Sequence, residues 1–445
     1  MAVFSQNLRI YNAERFLESI LNSNTSAPIV YMTIGKPTSW DDETTPPEAN
    51  TSITAFTEVW RYMIGARKIT GNDIRQVIPR FDWTSGITYN AYDDSQSSDT
   101  MFSPTNPFYV VTDEWNVYKC LSNNNGGIST VKPTSLLTTG AVETSDNYIW
   151  KYMYSLSNEE RLRFMTPQYI PVKSLTEDNG SLQWQVQENA VDGAIEAIFI
   201  TNIGSSYTDA NNLTVTISGD GSGAIAIPRI NTITQSLSSI VLSNPGYGYS
   251  FANVTITDSS GIGIEGAARA VISPPGGHGS HPLKELGGSY ILINGRFHGT
   301  ENGKIPTDNE LRQIALILNP RKRGSDDLAS NSVYSQVTTL TVDAGATSFE
   351  EDELVYQGLA FDSATFKGTV ISWDNSNNVI KLINVTGVPQ ADVLNGVTSR
   401  AARLVQSVTD NDLEAFSGEL LYISNIQPIQ RADDQTEDFK IVLQF

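Results

Sequence analysis

From Ile195 to Ile272 apolar and polar residues alternate in two successive copies of one pattern. Ile198, Ile200, Asn202, Gly204 and Tyr207 of the first copy fall on Ile240, Leu242, Asn244, Gly246 and Tyr249 of the second. Each copy continues into a second alternating run, Leu213–Ile217 and Val254–Thr257, and then into glycines and small residues. Alternation at every second position turns one face of a strand inward. Asn-x-Gly supplies a turn that only residues tolerant of positive φ make cheaply. Neither copy can bury a face alone, so the two are expected to pack together.

The pattern changes with position. Leu8 to Leu21 carries apolar residues at helical spacing and is expected to end at Asn22-Ser23-Asn24. Pro28 to Gly35 reads as a buried strand, and Thr51 to Ile69 as a second helix with Phe56, Val59, Trp60, Met63 and Ile64 on its inner side. Ile74 to Trp83 returns to extended chain. Phe108–Thr112 and Trp115–Leu121 form a hairpin about Asp113-Glu114, Tyr148–Leu156 is an aromatic strand, and Asn158–Phe164 makes a helical turn before Tyr169–Val172. Leu311–Leu318 is a buried strand. Val333–Val405 reads as a separate small β module with strands at 337–342, 353–356, 366–373, 379–385 and 401–405. The last strands are Glu419–Ser424 and Phe439–Phe445. A closing strand needs a sheet to join, so the tail should pair with the earlier framework. The fold class is mainly β: a multi-domain, β-sandwich-like core with two N-terminal helices and two inserted small β modules.

Composition narrows the function. The chain has 445 residues, 29 Lys+Arg against 49 Asp+Glu, and a formal charge of -20, which disfavours contact with phosphate backbones. Arg321-Lys322-Arg323 is a solvated turn rather than a basic patch. A single cysteine, Cys120, leaves no intrachain disulfide and nothing that argues for an oxidising compartment. Met1–Asn7 lacks a basic region followed by an apolar run, and no stretch is apolar enough to span a bilayer. A protein made in a reducing cytosol, without membrane insertion, is expected.

Candidate chemistry is sparse. His278, His281 and His298 cluster in sequence, and the first two, with His298 or Glu285, could meet one metal. In a Gly/Pro-rich segment without a framing helix, hydrogen bonds to the backbone explain them better. Asp41-Asp42-Glu43 and Glu350–Glu353 read as solvated acidic surface. Gly219–Gly223 lacks the Lys-Ser/Thr of a phosphate loop, and Asp374–Asn378 lacks the central glycine and distal glutamate of a calcium loop. Cys120 reads as a structural thiol in a strand. The aromatic groups Trp60/Tyr62, Phe81/Trp83, Tyr148/Trp150/Tyr152/Tyr154 and Trp373 favour core packing over ligand binding, with subunit contacts in between. No catalytic constellation and no cofactor are expected.

Eight stretches carry a resemblance in order along the chain. They are Tyr31–Trp40, Phe56–Gly65, Val77-Ile78-Pro79-Arg80-Phe81-Asp82-Trp83, Val117–Leu121, Asp146–Tyr152, Leu311–Pro320, Ser417–Ile423 and Asp434–Phe445. In these the chain resembles the baseplate wedge subunit of T4-like contractile-tailed bacteriophages, the gene product eight family. The resemblance implies a structural, non-enzymatic subunit of the virion tail baseplate, assembled in the bacterial host cytoplasm. It would be a homodimer that contacts other baseplate wedge proteins and transmits the baseplate's conformational change. Residues 1–190, 285–330 and 411–445 would form the discontinuous framework, with the duplicated glycine-rich stretch 191–284 and the β module 331–410 as insertions. Trp60, Arg80, Phe81, Asp82 and Trp83 are the candidate interface residues. The competing reading is a glycan-binding adhesin or tail-fibre-like module, suggested by the repeats and the Asn/Tyr turns.

Overall fold

The strand expected at 28–35 forms as Val30–Gly35, buried along its whole length, at the centre of a five-stranded sheet. The sheet runs Val333–Ser335, Met63–Lys68, Val30–Gly35, Glu310–Leu318, Glu419–Gln430 in the computed structural model, which describes residues 5–21 and 27–445. The chain is mainly β and divides into two units. One comprises Met1–Leu17, Arg75–Leu292 and Val442–Phe445, and the other Glu18–Ile74 and Ile293–Ile441.

In the second unit the helix Ile53–Tyr62 starts at Ser52, whose Oγ accepts the Ala55 N–H at 3.2 Å. Its Ala55, Val59 and Trp60 pack on Tyr31, Ala315 and Ile317 of the central strands. The helix expected as far as Ile69 stops at Tyr62. Met63 turns extended and opens the strand Met63–Lys68, which pairs antiparallel with Val30–Gly35, Ile34 facing Gly65. Met63, Ile64 and Ala66 are buried on both faces of this sheet, and a short run of that kind carries no period to separate strand from helix. Gly65 permits the close fit, since a Cβ there would lie 2.6 Å from Ile305 Cδ1. The small β module closes into a six-stranded barrel, in the order Thr338–Val342, Val379–Thr386, Phe366–Asp374, Leu354–Gln357, Val393–Gly396, Ala402–Thr409. The sequence pattern shows five of these strands. Val393–Gly396, four residues ending in glycine, is too short to announce itself.

In the first unit the helix Gln6–Leu21 buries Ile10 and Ala13 and sets Phe16 5.3 Å from the ring of Phe445. Its expected stop at Asn22–Asn24 lies outside the described residues. The strands Tyr109–Val111, Asn116–Asn123, Tyr148–Ser155 and Val142–Glu143 form a four-stranded sheet. The hairpin between the first two turns with Trp115 at a φ of 66°. Asn158–Phe164 is a helix opened by a reciprocal Ser157/Glu160 capping box. The terminal segment joins this unit as expected: Val442 packs with Val77, Phe164, Tyr290 and Leu292, and the Phe445 N–H reaches the Ser289 carbonyl at 3.3 Å.

The duplicated stretch makes one six-stranded sheet in the order Ser236–Tyr247, Ser222–Asn231, Leu213–Gly219, Ala252–Asp258, Ala267–Ile272, Ile195–Asn202. The copies do more than pack on one another. The first strand of each pairs with the third strand of the other, and the second strands meet in the middle, where Val215 faces its own counterpart Ile256. A pseudo-two-fold axis therefore runs through the Val215–Ile256 pair. The repeated tyrosines take equivalent places: the Tyr207 hydroxyl accepts the Gly266 N–H at 2.8 Å, and the Tyr249 hydroxyl accepts the Ala224 N–H at 3.4 Å. The repeated glycines Gly204 and Gly246 have φ of 61° and 64°.

Candidate interface residues and a buried charge cluster

The candidate interface residues fall in different units. Trp60 is buried in the second unit, 2% exposed, so its ring is no surface anchor there. Arg80, Phe81, Asp82 and Trp83 leave the sheet at Pro79 and run along the surface of the first unit. Phe81 packs edge-on against Tyr109 at 5.2 Å, and the Trp83 indole N–H donates to Ser129 Oγ at 3.2 Å. Arg80 pairs with Asp82 at 2.9 Å and lies over Trp115, whose ring also faces the Arg161 guanidinium at 4.6 Å. Phe81, Trp83 and Trp115 are each anchored by such a contact and only half-buried, and Ile87 and Ile128 of the same unit are exposed. Aromatic and arginine side chains fixed in this way suit a protein contact.

The histidines also divide between the two units. His298 ends the strand Tyr290–His298, which the Gly/Pro-rich sequence before it conceals, and its Nδ1 lies 3.3 Å from Thr436 Oγ1 in the second unit. His278 and His281 belong to the first unit. His281 caps the short helix Pro282–Glu285: its Nδ1 accepts the Lys284 N–H at 3.4 Å and the Ser174 hydroxyl at 2.7 Å. Among the described residues no three His, Cys, Asp or Glu side chains are grouped to hold a metal ion.

His278 belongs to a cluster that sequence reading missed. Lys119 and Lys151 are cross-strand partners on Asn116–Asn123 and Tyr148–Ser155, and both are fully buried. Lys119 Nζ donates to Glu285 Oε2 and to His278 Nδ1, each at 2.9 Å, and sits 4.1 Å from the centre of the Tyr92 ring. Glu285 Oε1 also accepts the N–H groups of Gly279 at 2.9 Å and His281 at 3.0 Å. Lys151 Nζ lies 3.9 Å from Glu196 Oε1 and has no hydrogen-bond partner among the described residues. Burial, followed by the Lys119 and Lys151 charges, holds the His278 imidazole well below its usual pKa and therefore neutral. Burial also lowers Lys119 and raises Glu196. Neighbouring Cys120 is buried and its thiol pushed up by desolvation, which makes it inert. The carboxylates flank the duplicated stretch in the chain, Glu196 on the strand Ile195–Asn202 and Glu285 after Ala267–Ile272, the strand paired with it. The cluster thus adds a charged key to the apolar contact that Leu121 and Ile149 make with Ala197 and Val271 of the duplicated sheet.

A polar concavity of about 890 Å³ lies nearby, lined by Asn90, Gln96, Asp99, Thr105, Asn106, Asn123 and Phe199 among others. Its one aromatic face is taken by the Arg269 guanidinium, 5.2 Å from the Phe199 centre and held by Asp93 and Asp94 at 2.6 Å each. The groove offers groups that bind hydroxyls without an open ring on which a sugar could stack.

Residues 2–133 match the family described as Bacteriophage T4, Gp8. The chain is also similar to the baseplate wedge protein gp8 of Enterobacteria phage T4, 22% identical over 223 residues that make up 42% of this chain and 66% of that relative. The aligned part thus spans slightly less than two thirds of the relative's length. The stretches Tyr31–Trp40, Phe56–Gly65, Val77–Trp83 and Val117–Leu121 all fall within the family match. Both matches point the same way: residues 2–133 are similar to the gp8 family, and the aligned segments to the T4 baseplate wedge protein.

Proposed function

We propose that this chain is a structural, non-enzymatic subunit of a contractile phage tail baseplate wedge. It acts there as a homodimer, in contact with other wedge proteins, in baseplate assembly and in passing on the baseplate's conformational change. The match to a baseplate wedge protein carries the reading. The geometry supports it: the Arg80–Trp83 strip presents fixed aromatic and arginine side chains at the surface, and the buried charges of the first unit are spent on one another. We also propose that 1–190, 285–330 and 411–445 form the family framework, with 191–284 and 331–410 inserted. In support, the strands of the duplicated sheet and of the barrel each pair only within their own sheet among the described residues. The chain would reside in the virion tail baseplate after assembly in the host cytoplasm. No helix among the described residues is long and apolar enough to cross a membrane.

A cryo-EM map of the virion tests the placement: density for this chain in the baseplate wedge is expected, and its absence from the tail would end the reading. Light scattering on the purified chain should give the mass of two copies. A strict monomer at micromolar concentration would remove the homodimer.

A further inference from the structure

In each copy of the duplicated sheet a glycine-rich loop joins the second strand to the third, and the copies differ there. Loop 219–224 reads Gly-Asp-Gly-Ser-Gly-Ala, and loop 261–266 reads Gly-Ile-Gly-Ile-Glu-Gly. The two are structurally equivalent. A Cβ at Gly221 would press on the Tyr249 ring, and one at Gly263 on the Tyr207 ring. Ser222 pairs with Tyr247, and Ile264 exchanges two backbone hydrogen bonds of 3.0 Å with Ser205, the counterpart of Tyr247. Ile262 and Ile264 thus stand where the first copy has Asp220 and Ser222, and both are more than half exposed. The scaffold accepts polar residues at these places, so packing does not account for the isoleucines. Glu265 is a second departure. It holds a φ of 59° where the first copy has Gly223 at 83°, a left-handed backbone that non-glycine residues seldom take and that gathers at functional sites.

Two further isoleucines share this end of the sheet. The Ile203 carbonyl accepts the Leu237 N–H at 2.8 Å, and the Gln235 carbonyl accepts the Tyr207 N–H at 2.9 Å. These bonds tie the hairpin that carries Ile233 to the segment paired with Ile264. Ile203 is more than half exposed and Ile233 is 91% exposed. The stretch enters and leaves the sheet at the paired residues Ile195 and Ile272, whereas Asn202 pairs with Ala267 at the other end. The isoleucines therefore crown the end remote from that entry. Exposed apolar side chains gathered from three loops, on backbone fixed by hydrogen bonds, mark a contact surface.

We propose that this isoleucine tip is seated in another protein of the assembly, in an aliphatic socket with a lysine or arginine at its rim. The cation answers Glu265, the one charged residue in loops 202–206, 231–235 and 259–266. A second copy meeting the tip with its own would set Glu265 against Glu265. A lipid surface is met by loops that carry Lys, Arg, Trp or Tyr, and these loops have none. That the socket belongs to a protein of the virion rests on the assembly reading above, while the contact surface rests on the difference between the two copies.

The test is run in virions. The photo-cross-linker p-benzoylphenylalanine replaces Ile233, and in a control it replaces Thr216, exposed on the same sheet. Irradiation should join position 233 to a different virion protein, at an aliphatic segment next to a lysine or arginine, and position 216 far less. Ile262→Asp with Ile264→Ser gives the second loop the residues of the first. That double variant should lower the cross-link yield at position 233 by about tenfold or more, as lost burial of two isoleucines does. In the purified chain it should keep the melting temperature within about 2 °C of wild type, as surface substitutions do. A large fall would make the isoleucines structural and overturn the proposal. Cross-links to a second copy, to lipid or to nothing, in virions that carry the chain, would overturn it too and leave the assembly reading standing. Virions without the chain would end the assembly reading and this partner together, so the two failures are distinguishable.

Discussion

Lys119 and Lys151 stand directly opposite each other on neighbouring strands, both out of contact with water, and each is answered by a carboxylate from outside their sheet. Two like charges side by side in a sheet oppose pairing, so the arrangement holds only while Glu285 and Glu196 are in place. Replacing one partner should therefore cost more than replacing both. Glu285→Gln removes the charge that balances Lys119, and a loss of about 3–5 kcal/mol is expected, as for other broken buried pairs. The double variant Lys119→Met with Glu285→Gln should recover a large part of that loss. Urea unfolding of the four chains of this cycle measures the coupling. A double-variant cost equal to the sum of the two single-variant costs would show that the charges do not act together.

His278 makes the same cluster sensitive to pH. Its folded pKa is depressed by burial and the two ammonium groups, so the native chain keeps the ring neutral while the unfolded chain binds a proton below about 6.5. Stability from this group is complete above that pH and falls beneath it, by up to about 1.4 kcal/mol per pH unit. Glu196 works in the opposite direction. Its folded pKa is raised by burial, so acidification relieves a penalty that grows as the pH rises above the ordinary carboxylate range. The comparison that isolates His278 is wild type against His278→Gln, with denaturant midpoints measured between pH 7.5 and 5.5. The wild type should lose stability more steeply, and parallel slopes would exclude the role.

The interlaced repeats make a sharper claim about single glycines. A Cβ at Gly246 would lie 2.6 Å from both the Ala224 nitrogen and the Ser222 oxygen, at a φ of 64°. Gly248 has a φ of 72° but meets nothing within 4 Å. Gly246→Ala therefore combines a backbone clash with conformational strain, whereas Gly248→Ala adds strain alone, about 1 kcal/mol. Thermal unfolding should show Gly246→Ala well below Gly248→Ala. Similar melting temperatures would mean that the strand pairing around Gly246 is looser than its geometry.

Much of this was legible from pattern. Alternation located the first two strands of each copy in the duplicated sheet, while the third strands, Ser222–Asn231 and Ala267–Ile272, read only as glycines and small residues. Helical spacing located Gln6–Leu21 and the start of Ile53–Tyr62. Pattern failed where burial removes periodicity. Met63–Lys68 is apolar enough to extend a helix on paper, and Tyr290–His298 is hidden behind a run of glycine and proline. The strand exchange between the copies was not legible either, because register matching shows that two segments are alike and not which edges they share. The charge cluster left no signal at all, since Lys119 and Glu285 are 166 positions apart and a lone lysine in a strand reads as surface. Trp60 shows the converse: its residue type suggests a surface anchor, but the fold turns its ring inward and leaves only the indole nitrogen unpartnered.

The barrel should fold when cut from the chain. Its first and last strands are neighbours, with Thr339 opposite Thr409, so the excision points lie side by side. Its apolar centre, including Leu340, Val355, Phe366, Val370, Leu382 and Leu394, is supplied wholly from within. Its buried charges are satisfied from within as well. The Glu353 carboxylate accepts from the Glu350, Thr398 and Ser399 N–H groups and from the Ser399 hydroxyl, and the Arg403 guanidinium donates to the Thr347 and Asp343 carbonyls. A closed barrel leaves no strand edge that would need the rest of the chain. Residues 336–411 expressed alone should thus give a dispersed amide spectrum and a cooperative thermal transition, with modest stability at this size. Glu353→Gln weakens four of those hydrogen bonds at once and should lower the isolated barrel's stability by about 2–3 kcal/mol. An excised segment with collapsed amide dispersion would show that the barrel depends on the sheet it leaves, and it would count against reading 331–410 as an insertion into an older framework.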